Sequence, residues 1–201
     1  MSAAVEILDA DGEHALTMRT LTEHFTTGRG AIYHHVSGMD DLLAAAADDV
    51  IAVVTTPATA QLDPVASLRH LAVGVYDAVD RHHWVGTQLA RDSMQPAVLR
   101  IWKGVAVALR EIGLTGSSAA NAGSALSSFL FGSTAHIASR SRRSHDPESR
   151  RAFLDALASY WTADDPEPTT IEAAAHLRDH DDREQFVAGL DIVLRGITAA
   201  P

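Results

Sequence analysis

The sequence predicts an all-α fold in which a small N-terminal unit precedes a larger helical unit. Apolar residues recur at helical spacing along most of the 201 residues, and alanine, the strongest helix former, occurs 35 times. No segment alternates apolar and polar residues over a length that would predict a strand. The clearest apolar stripes lie at 42–54, 65–79, 98–112 and 186–197. Such stripes are typical of amphipathic helices that bury one face.

The helix boundaries are predicted from capping residues, glycines and prolines. In chain order they fall at Asp11-Gly12, Thr17, Ser37 or Asp40, Asp63-Pro64, Gly86, Pro96 and 113–116. Polar loops at 140–147 and 164–168 divide the last part of the chain. Together these boundaries predict about nine or ten helices.

The composition excludes several classes of protein. The chain has 26 acidic residues, 16 basic residues, a net charge of −10 and no cysteine. It therefore has no disulfide framework and no thiolate site, and its acidity argues against a general nucleic-acid coat protein. No basic-then-apolar leader is visible, so we expect a cytoplasmic protein.

One long segment, 112–139, contains no Asp, Glu, Lys or Arg. Its length alone would permit a membrane span. However, several serines and glycines, together with Asn121 and His136, predict a helix covered by protein. We therefore expect no membrane partner.

Charge divides the chain near residue 55. Residues 1–60 contain nine acidic and two basic residues, and the remainder contains 17 acidic and 14 basic residues. The stretch 55–63 lacks large apolar side chains, as a linker would. The predicted domains are 1–54 and 55–201.

The segment 16–43 has the pattern of two short helices joined by a tight turn. Its inward-facing apolar residues are Met18, Leu21, Phe25, Ala31, Ile32 and Val36. Ala4, Ile7 and Leu8 of the first helix would complete their core. This arrangement is typical of a helix-turn-helix unit whose second helix enters a major groove of DNA. On spacing alone, an ordinary helical hairpin with a surface arginine is an equally open alternative.

The outward positions of the second helix carry side chains suited to DNA. Arg29 can donate two hydrogen bonds to guanine or bind a phosphate, and Gly30 allows close approach of the backbone. Tyr33 and His34 can donate to phosphates or pack on thymine methyl groups. The free N–H groups at the start of the next helix are suited to a phosphate.

The string LTMRTLTEHFTTGRGAIYHHVSGMDDLLAAAADDV resembles the DNA-binding segment of the TetR family of one-component repressors. Its most characteristic part is Tyr-His-His-Val followed by a glycine and a Leu-Leu pair. The ending REQFVAGLDIVLRGI is similar to the last helix of tetracycline-repressor-like C-terminal domains. The resemblance implies an all-helical homodimer with an N-terminal three-helix DNA-binding domain and a larger ligand-binding and dimerisation domain.

The resemblance also implies DNA-contacting roles for eight residues. Thr17 and Arg19 would contact the DNA backbone at the start of the second helix, and Ser37 would bind a phosphate. The residues expected to line the groove are Thr27, Arg29, Gly30, Tyr33 and His34.

The uncharged stretch and the last helix are predicted to form the dimer contact. Small residues on the uncharged stretch let another helix approach closely, and the last helix offers larger apolar side chains. The residues predicted at this interface are Ala122, Leu126, Ser133, Phe186, Leu190, Val193 and Ile197. The sequence leaves open the alternative that both helices belong to one intramolecular core.

An effector pocket is expected among the helices of the larger unit, mostly apolar with a few polar groups. The residues predicted to line it are Tyr76, Trp84, Gln88, Trp102, Asn121, Phe129 and His136. The alternative for each of them is a plain packing role.

Two other clusters favour solvated segments over sites. His176 and His180 have a spacing that can bind a metal, but no third ligand is fixed, so we expect no metal there. The arginines of 140–151 can bind an anion or form a solvated loop, and the loop is favoured.

These features favour a ligand-responsive repressor that binds a near-palindromic operator as a homodimer. A small-molecule effector of unknown identity would release it from DNA, and no cofactor is expected. The sequence has no glycine-rich phosphate loop, nucleophile elbow or convincing carboxylate pair, so an enzyme is not expected. Two alternatives stay open. The acidic N-terminal unit, with no basic arm before Ser2, is compatible with a small-molecule-binding dimer that binds DNA weakly. The other alternative is a metal-dependent enzyme that uses His176 and His180.

Overall fold

The computed structural model describes residues 1–24, 38–55, 63–141, 147–179 and 181–199, and every regular element in these ranges is helical. A short 3₁₀ turn, Glu13–Ala15, follows the first helix. The α-helices of these ranges are α1 Ser2–Asp11, α2 Met18–His24, α3 Met39–Thr55, α4 Pro64–Arg81, α5 His83–Arg91, α6 Pro96–Glu111, α7 Gly116–Ser141, α8 Pro147–Asp164, α9 Pro168–Asp179 and α10 Asp182–Ala199. The all-α prediction is confirmed.

Helices α1, α2 and α3 form the N-terminal unit, which we call the head. The predicted inward residues Ala4, Ile7 and Leu8 of α1 are buried, as is Leu21 of α2. Gly12 ends α1 with a φ of 77°, a left-handed conformation that favours glycine. Helix α1 packs against the 3₁₀ turn, α2 and α5, and its buried residues join one hydrophobic cluster with those of α2 and α3.

Two of the predicted helix starts are confirmed by their capping hydrogen bonds. The Thr20 backbone N–H donates to Thr17 Oγ1 (3.1 Å), and the Thr17 N–H donates in return to Thr20 Oγ1 (2.9 Å). Asp63 Oδ1 accepts from the N–H groups of Val65 (3.0 Å) and Ala66 (3.1 Å), ahead of Pro64. These contacts fix where α2 and α4 begin.

The remaining helices form the effector unit, whose core lies between α4, α6, α7 and α10. The hydrophobic cluster is continuous from the head into this unit, because α3 packs along α6 and α4. Arg100 of α6 reinforces this contact with two hydrogen bonds of 2.8 Å to Asp48 of α3. Residues 56–62, where the domain boundary is predicted, lie outside the described ranges, so the division into 1–54 and 55–201 stays a prediction.

The predicted break at Gly86 is wrong, because this glycine lies inside α5 and is buried. A Cβ atom at this position would come within 2.9 Å of the Thr134 carbonyl oxygen and 2.9 Å of Val79 Cγ1. The glycine therefore allows α5 to cross α7 at close range. The expected break at 113–116 does occur, with Gly113 and Gly116 at φ of 98° and 58° between α6 and α7.

Across the described ranges, none of the helices combines the length and hydropathy needed to cross a membrane.

Candidate DNA-binding and effector sites

The start of α2 carries the two predicted DNA-contacting residues that the structure describes. Thr17 is exposed and closes the capping pair with Thr20, which fixes the first turn. The Arg19 side chain is 83% exposed, and its Nε lies 3.1 Å from Glu23 Oε1. An ion pair this exposed contributes little, at most about 1 kcal/mol, so Arg19 can exchange it for a phosphate.

The other predicted DNA-contacting residues lie in 25–37, outside the described ranges. They are Thr27, Arg29, Gly30, Tyr33, His34 and Ser37. Their roles therefore stay predictions.

Four acidic side chains of the head contact the effector unit. We call these contacts the head clamp, and the four residues are Asp9, Glu13, Asp40 and Asp48. Asp9 of α1 is its centre. His82 Nδ1 donates to both carboxylate oxygens of Asp9, at 2.8 and 2.9 Å, and Trp84 Nε1 donates to Oδ1 at 2.8 Å. A carboxylate can only accept, so the proton of each bond comes from the ring.

The rest of the head clamp lies further along α5. Gln88 is fully buried, and its Nε2 donates to Glu13 Oε1 at 2.9 Å. Arg91 donates to Asp40 Oδ1 at 3.2 Å and lies 3.9 Å from Glu13. Because α5 also packs along α7, this short helix connects the head to the centre of the effector unit.

The predicted pocket residues do not all come together. Trp84 and Gln88 bind the head, and Trp102, Asn121 and His136 are exposed on the outer faces of α6 and α7. The structure does not bring these five residues to one interior space, and their roles at an effector stay predictions. On α6 the buried face is Val98, Ile101, Val105 and Leu109, and Trp102 lies one position beyond it.

Tyr76 and Phe129 do meet, in a stack of three aromatic rings that is completed by Phe186. The ring centroids of Tyr76 and Phe186 are 4.1 Å apart, and those of Phe129 and Phe186 are 5.3 Å apart, with interplanar angles of 20° and 17°. Gly189 makes room for this aromatic stack, since a Cβ there would lie 2.9 Å from Phe129 Cζ. The stack joins α4, α7 and α10 at the centre of the effector unit.

Sequence reasoning missed a polar group in this core. Ser127 of α7 is 2% exposed, and its Oγ has no hydrogen-bond partner among the described residues. A buried hydroxyl without a partner is costly, and a bound molecule could satisfy it. Only the absence of charge in the segment 112–139 hinted at such burial.

Most of the predicted dimer residues lie inside the protomer. Ala122, Leu126, Phe186, Leu190 and Ile197 are all buried within the protomer, and Leu126 and Leu190 have no exposed surface. They belong to the intramolecular core that the sequence left open as the alternative. Only Ser133 and Val193 of the predicted set are partly exposed.

The outer surfaces of α7 and α10 carry different residues from those predicted. The exposed positions of α7 hold small or uncharged side chains, namely Ser117, Ala120, Asn121, Ser124, Ala125, Ser128, Gly132, Ala135 and His136. On α10 the exposed side includes Ala188, Gly196 and Ile192, which is 62% exposed. The exposed positions of α7 between 117 and 136 therefore carry no charged residue, whereas the exposed side of α10 also includes Glu184 and Arg195.

Helices α8 and α9 form a hairpin with its own small core. Leu154, Ala158 and Ala174 are buried there but do not belong to the main hydrophobic cluster. Arg150 of α8 pairs with Asp182 at the start of α10. The hairpin leaves Tyr160 67% exposed and Trp161 40% exposed.

The proposed metal and anion clusters lie partly outside the described ranges, which exclude Arg142 and Arg143 of the arginine-rich loop. His176 is exposed on α9, and His180 lies outside those ranges. Among the described residues, no group of three or more His, Asp or Glu side chains is suited to a metal ion.

The chain matches two family models of known proteins. Residues 1–46 match the family model of bacterial regulatory proteins, tetR family, and residues 56–200 match that of the tetracyclin repressor-like C-terminal domain. An HTH-type transcriptional regulator of Saccharopolyspora erythraea is 30% identical over 178 residues, which cover 82% of this chain and 74% of that protein.

Solved structures show the same similarity. The regulator SCO7222, a TetR from Streptomyces coelicolor, is 38% identical with a TM-score of 0.83, over 98% of this chain and 95% of that one. ActR of Streptomyces coelicolor, in complex with actinorhodin, is 26% identical with a TM-score of 0.76, over 98% and 94%. The two family models together span nearly the whole chain, so the protein belongs to the TetR family of bacterial transcriptional regulators, which are not enzymes.

Proposed function

We propose that this chain is a homodimeric repressor that binds a palindromic operator and is released by a small-molecule effector. The observation that carries the proposal is the head clamp, because it joins the head to the helix that packs on the effector core. A ligand that changes the packing around α5 would therefore change the position of the head. As a regulator of DNA, the protein would act in the cytoplasm.

The operator contacts are proposed on both sides of the turn after α2. Thr17 and Arg19 would bind phosphates, and Arg29 and Tyr33 would enter the major groove together with the other predicted residues of 27–37. Two heads related by a two-fold axis would reach successive major grooves about 34–36 Å apart. The acidic side chains of the head clamp bind the effector unit, which limits their repulsion of DNA.

The dimer is proposed to form through the uncharged outer face of α7 and the exposed face of α10 around Ile192. Small residues such as Ser124, Ser128 and Gly132 allow another helix to approach closely, and Ile192 supplies an apolar side chain that is 62% exposed in the protomer. Two helices from each protomer would then make a four-helix bundle about a two-fold axis. A stable contact of this kind buries about 2,000 Å² or more.

The effector is proposed to enter beside the aromatic stack of Tyr76, Phe186 and Phe129. Flat rings bind best against aromatic faces, and the relative ActR is known in complex with actinorhodin. Ser127 would offer a hydroxyl to a polar group of the ligand. The effector can release DNA only if it binds the released arrangement more tightly than the DNA-bound one.

Selection of genomic DNA fragments on the full-length protein, followed by a gel shift at low salt, tests the operator proposal. We expect a retained fragment with a near-palindromic site and a sharp specific band. Arg29→Ala should lower operator affinity by about 1–3 kcal/mol if the side chain reads a base. Arg110→Ala, which removes an exposed arginine from α6, should leave the affinity unchanged. Absence of any specific band would support the alternative of a small-molecule-binding dimer that no longer binds DNA.

A further inference from the structure

A cleft of about 320 Å³ lies between α1, α3 and the end of α4. Its apolar walls include Val5 of α1 and Val50 and Val54 of α3. Both the head and the effector unit therefore contribute to it. We call it the hinge cleft, because it lies where the two units meet and is lined by His82 of the head clamp.

The volume of the hinge cleft lies at the lower end of the range for small-molecule sites, and half of its ten lining residues are apolar. Such sites begin at about 300 Å³ and combine apolar walls with a few polar groups. Val53 at the edge of the cleft is 78% exposed, an unusual position for a large apolar side chain next to an open cleft. A molecule seated there would cover it.

The charges around the hinge cleft favour a cation. Glu6 and Asp49 contribute two carboxylates from facing helices, and neither makes a hydrogen bond or ion pair to another described residue. His82 Nδ1 is occupied by Asp9. Arg81 is the one arginine or lysine among the described lining residues, so the carboxylates of Glu6 and Asp49 outnumber it by two to one.

We propose that the hinge cleft is a second ligand site, separate from the aromatic stack, and that it takes a compact amine with an apolar body. The ammonium group would lie between Glu6 and Asp49, and the body would pack on Val5, Val50 and Val54. Because the walls come from both units, a bound amine stabilises the arrangement of head and effector unit that forms the cleft. It would therefore regulate the head independently of the effector.

Calorimetric titration with hexylammonium at neutral pH tests this proposal. We expect saturable binding of one molecule per protomer, at least about tenfold tighter than hexan-1-ol, which has the same apolar body without the charge. Glu6→Gln/Asp49→Asn should remove this preference. Glu6 and Asp49 are exposed, so the double variant should fold, and its far-ultraviolet circular dichroism checks this. The matched control Glu111→Gln/Glu172→Gln removes the same charge from exposed positions far from the cleft and should keep the preference.

Three results would overturn the proposal: equal affinity for hexylammonium and hexan-1-ol, unchanged amine binding by Glu6→Gln/Asp49→Asn, or tighter binding of hexanoate through Arg81. The titration contains no DNA, so its outcome is independent of whether an operator exists. A rise in the thermal unfolding temperature with hexylammonium, absent in the double variant, would support the stabilising role.

Discussion

At the scale of single residues, one carboxylate links the two units of the protein. Asp9 accepts from His82 and from Trp84, which lie on either side of the start of α5. Trp84 is 7% exposed, so its N–H would lack a partner if the carboxylate were removed. The same side chain therefore satisfies a buried donor and holds the head in position.

Asp9→Ala should lower the free energy of unfolding by about 2–3 kcal/mol, because it leaves the buried Trp84 donor unsatisfied and removes the His82 bond. Urea denaturation followed by circular dichroism measures this change. Asp11→Ala on the same helix is the control, since Asp11 is exposed and makes no contact to another described side chain. Its effect should stay within about 0.5 kcal/mol. Equal effects of the two variants would mean that the head clamp does not stabilise the fold.

At the scale of helices, the position of α5 depends on its close crossing with α7. Gly86 lies against the backbone carbonyl of Thr134 and the side chain of Val79. A carbonyl oxygen on a rigid helix cannot move aside as a flexible side chain can. The crossing therefore fixes the distance between α5, which holds the head clamp, and α7, which carries part of the aromatic stack.

Gly86→Ala should destabilise the protein by about 1–3 kcal/mol through overpacking. This is the opposite of the gain of up to about 1 kcal/mol that alanine brings to an open helical position. Gly123→Ala on α7 is the matched control, because its Cβ would meet only Leu109 Cδ1 at an ordinary 3.5 Å. Thermal unfolding of both variants distinguishes them. A stabilised Gly86→Ala protein would show that α5 and α7 can separate without cost.

The helices also show which features could be predicted from the sequence. Capping residues such as Thr17 and Asp63 act locally, so the helix starts they mark were predictable. For a helix that is covered on two sides, it is harder to predict which face lies in the protomer core and which contacts a partner subunit. Leu126 and Phe186 were predicted at the dimer surface but are buried in the protomer, because a periodic apolar stripe does not say which neighbour covers it. Nothing local to Trp84 and Gln88 reveals that their partners, Asp9 and Glu13, are 75 residues away in the chain.

At the scale of the whole molecule, the protomer leaves an uncharged surface uncovered although its net charge is −10. The outer faces of α7 and α10 are adjacent because the two helices pack on each other in the core. Charged residues are depleted at the centre of protein–protein interfaces, so a face without charge on so acidic a protein suits a contact site. A two-fold contact through these faces would also set the distance between the two heads, on which operator binding depends.

Ile192→Glu should therefore separate the proposed dimer. In a two-fold contact each substitution occurs twice, so two unpaired carboxylates would be buried, at a total cost of about 3 kcal/mol or more. The dimer dissociation constant should rise at least about 100-fold. Multi-angle light scattering across a dilution series measures it, and operator affinity should fall in parallel because a single head has half of the contacts. Val107→Glu places the same charge at an exposed apolar position of α6, outside the proposed contact, and should remain dimeric. If Ile192→Glu remains dimeric as well, the subunits associate through another surface.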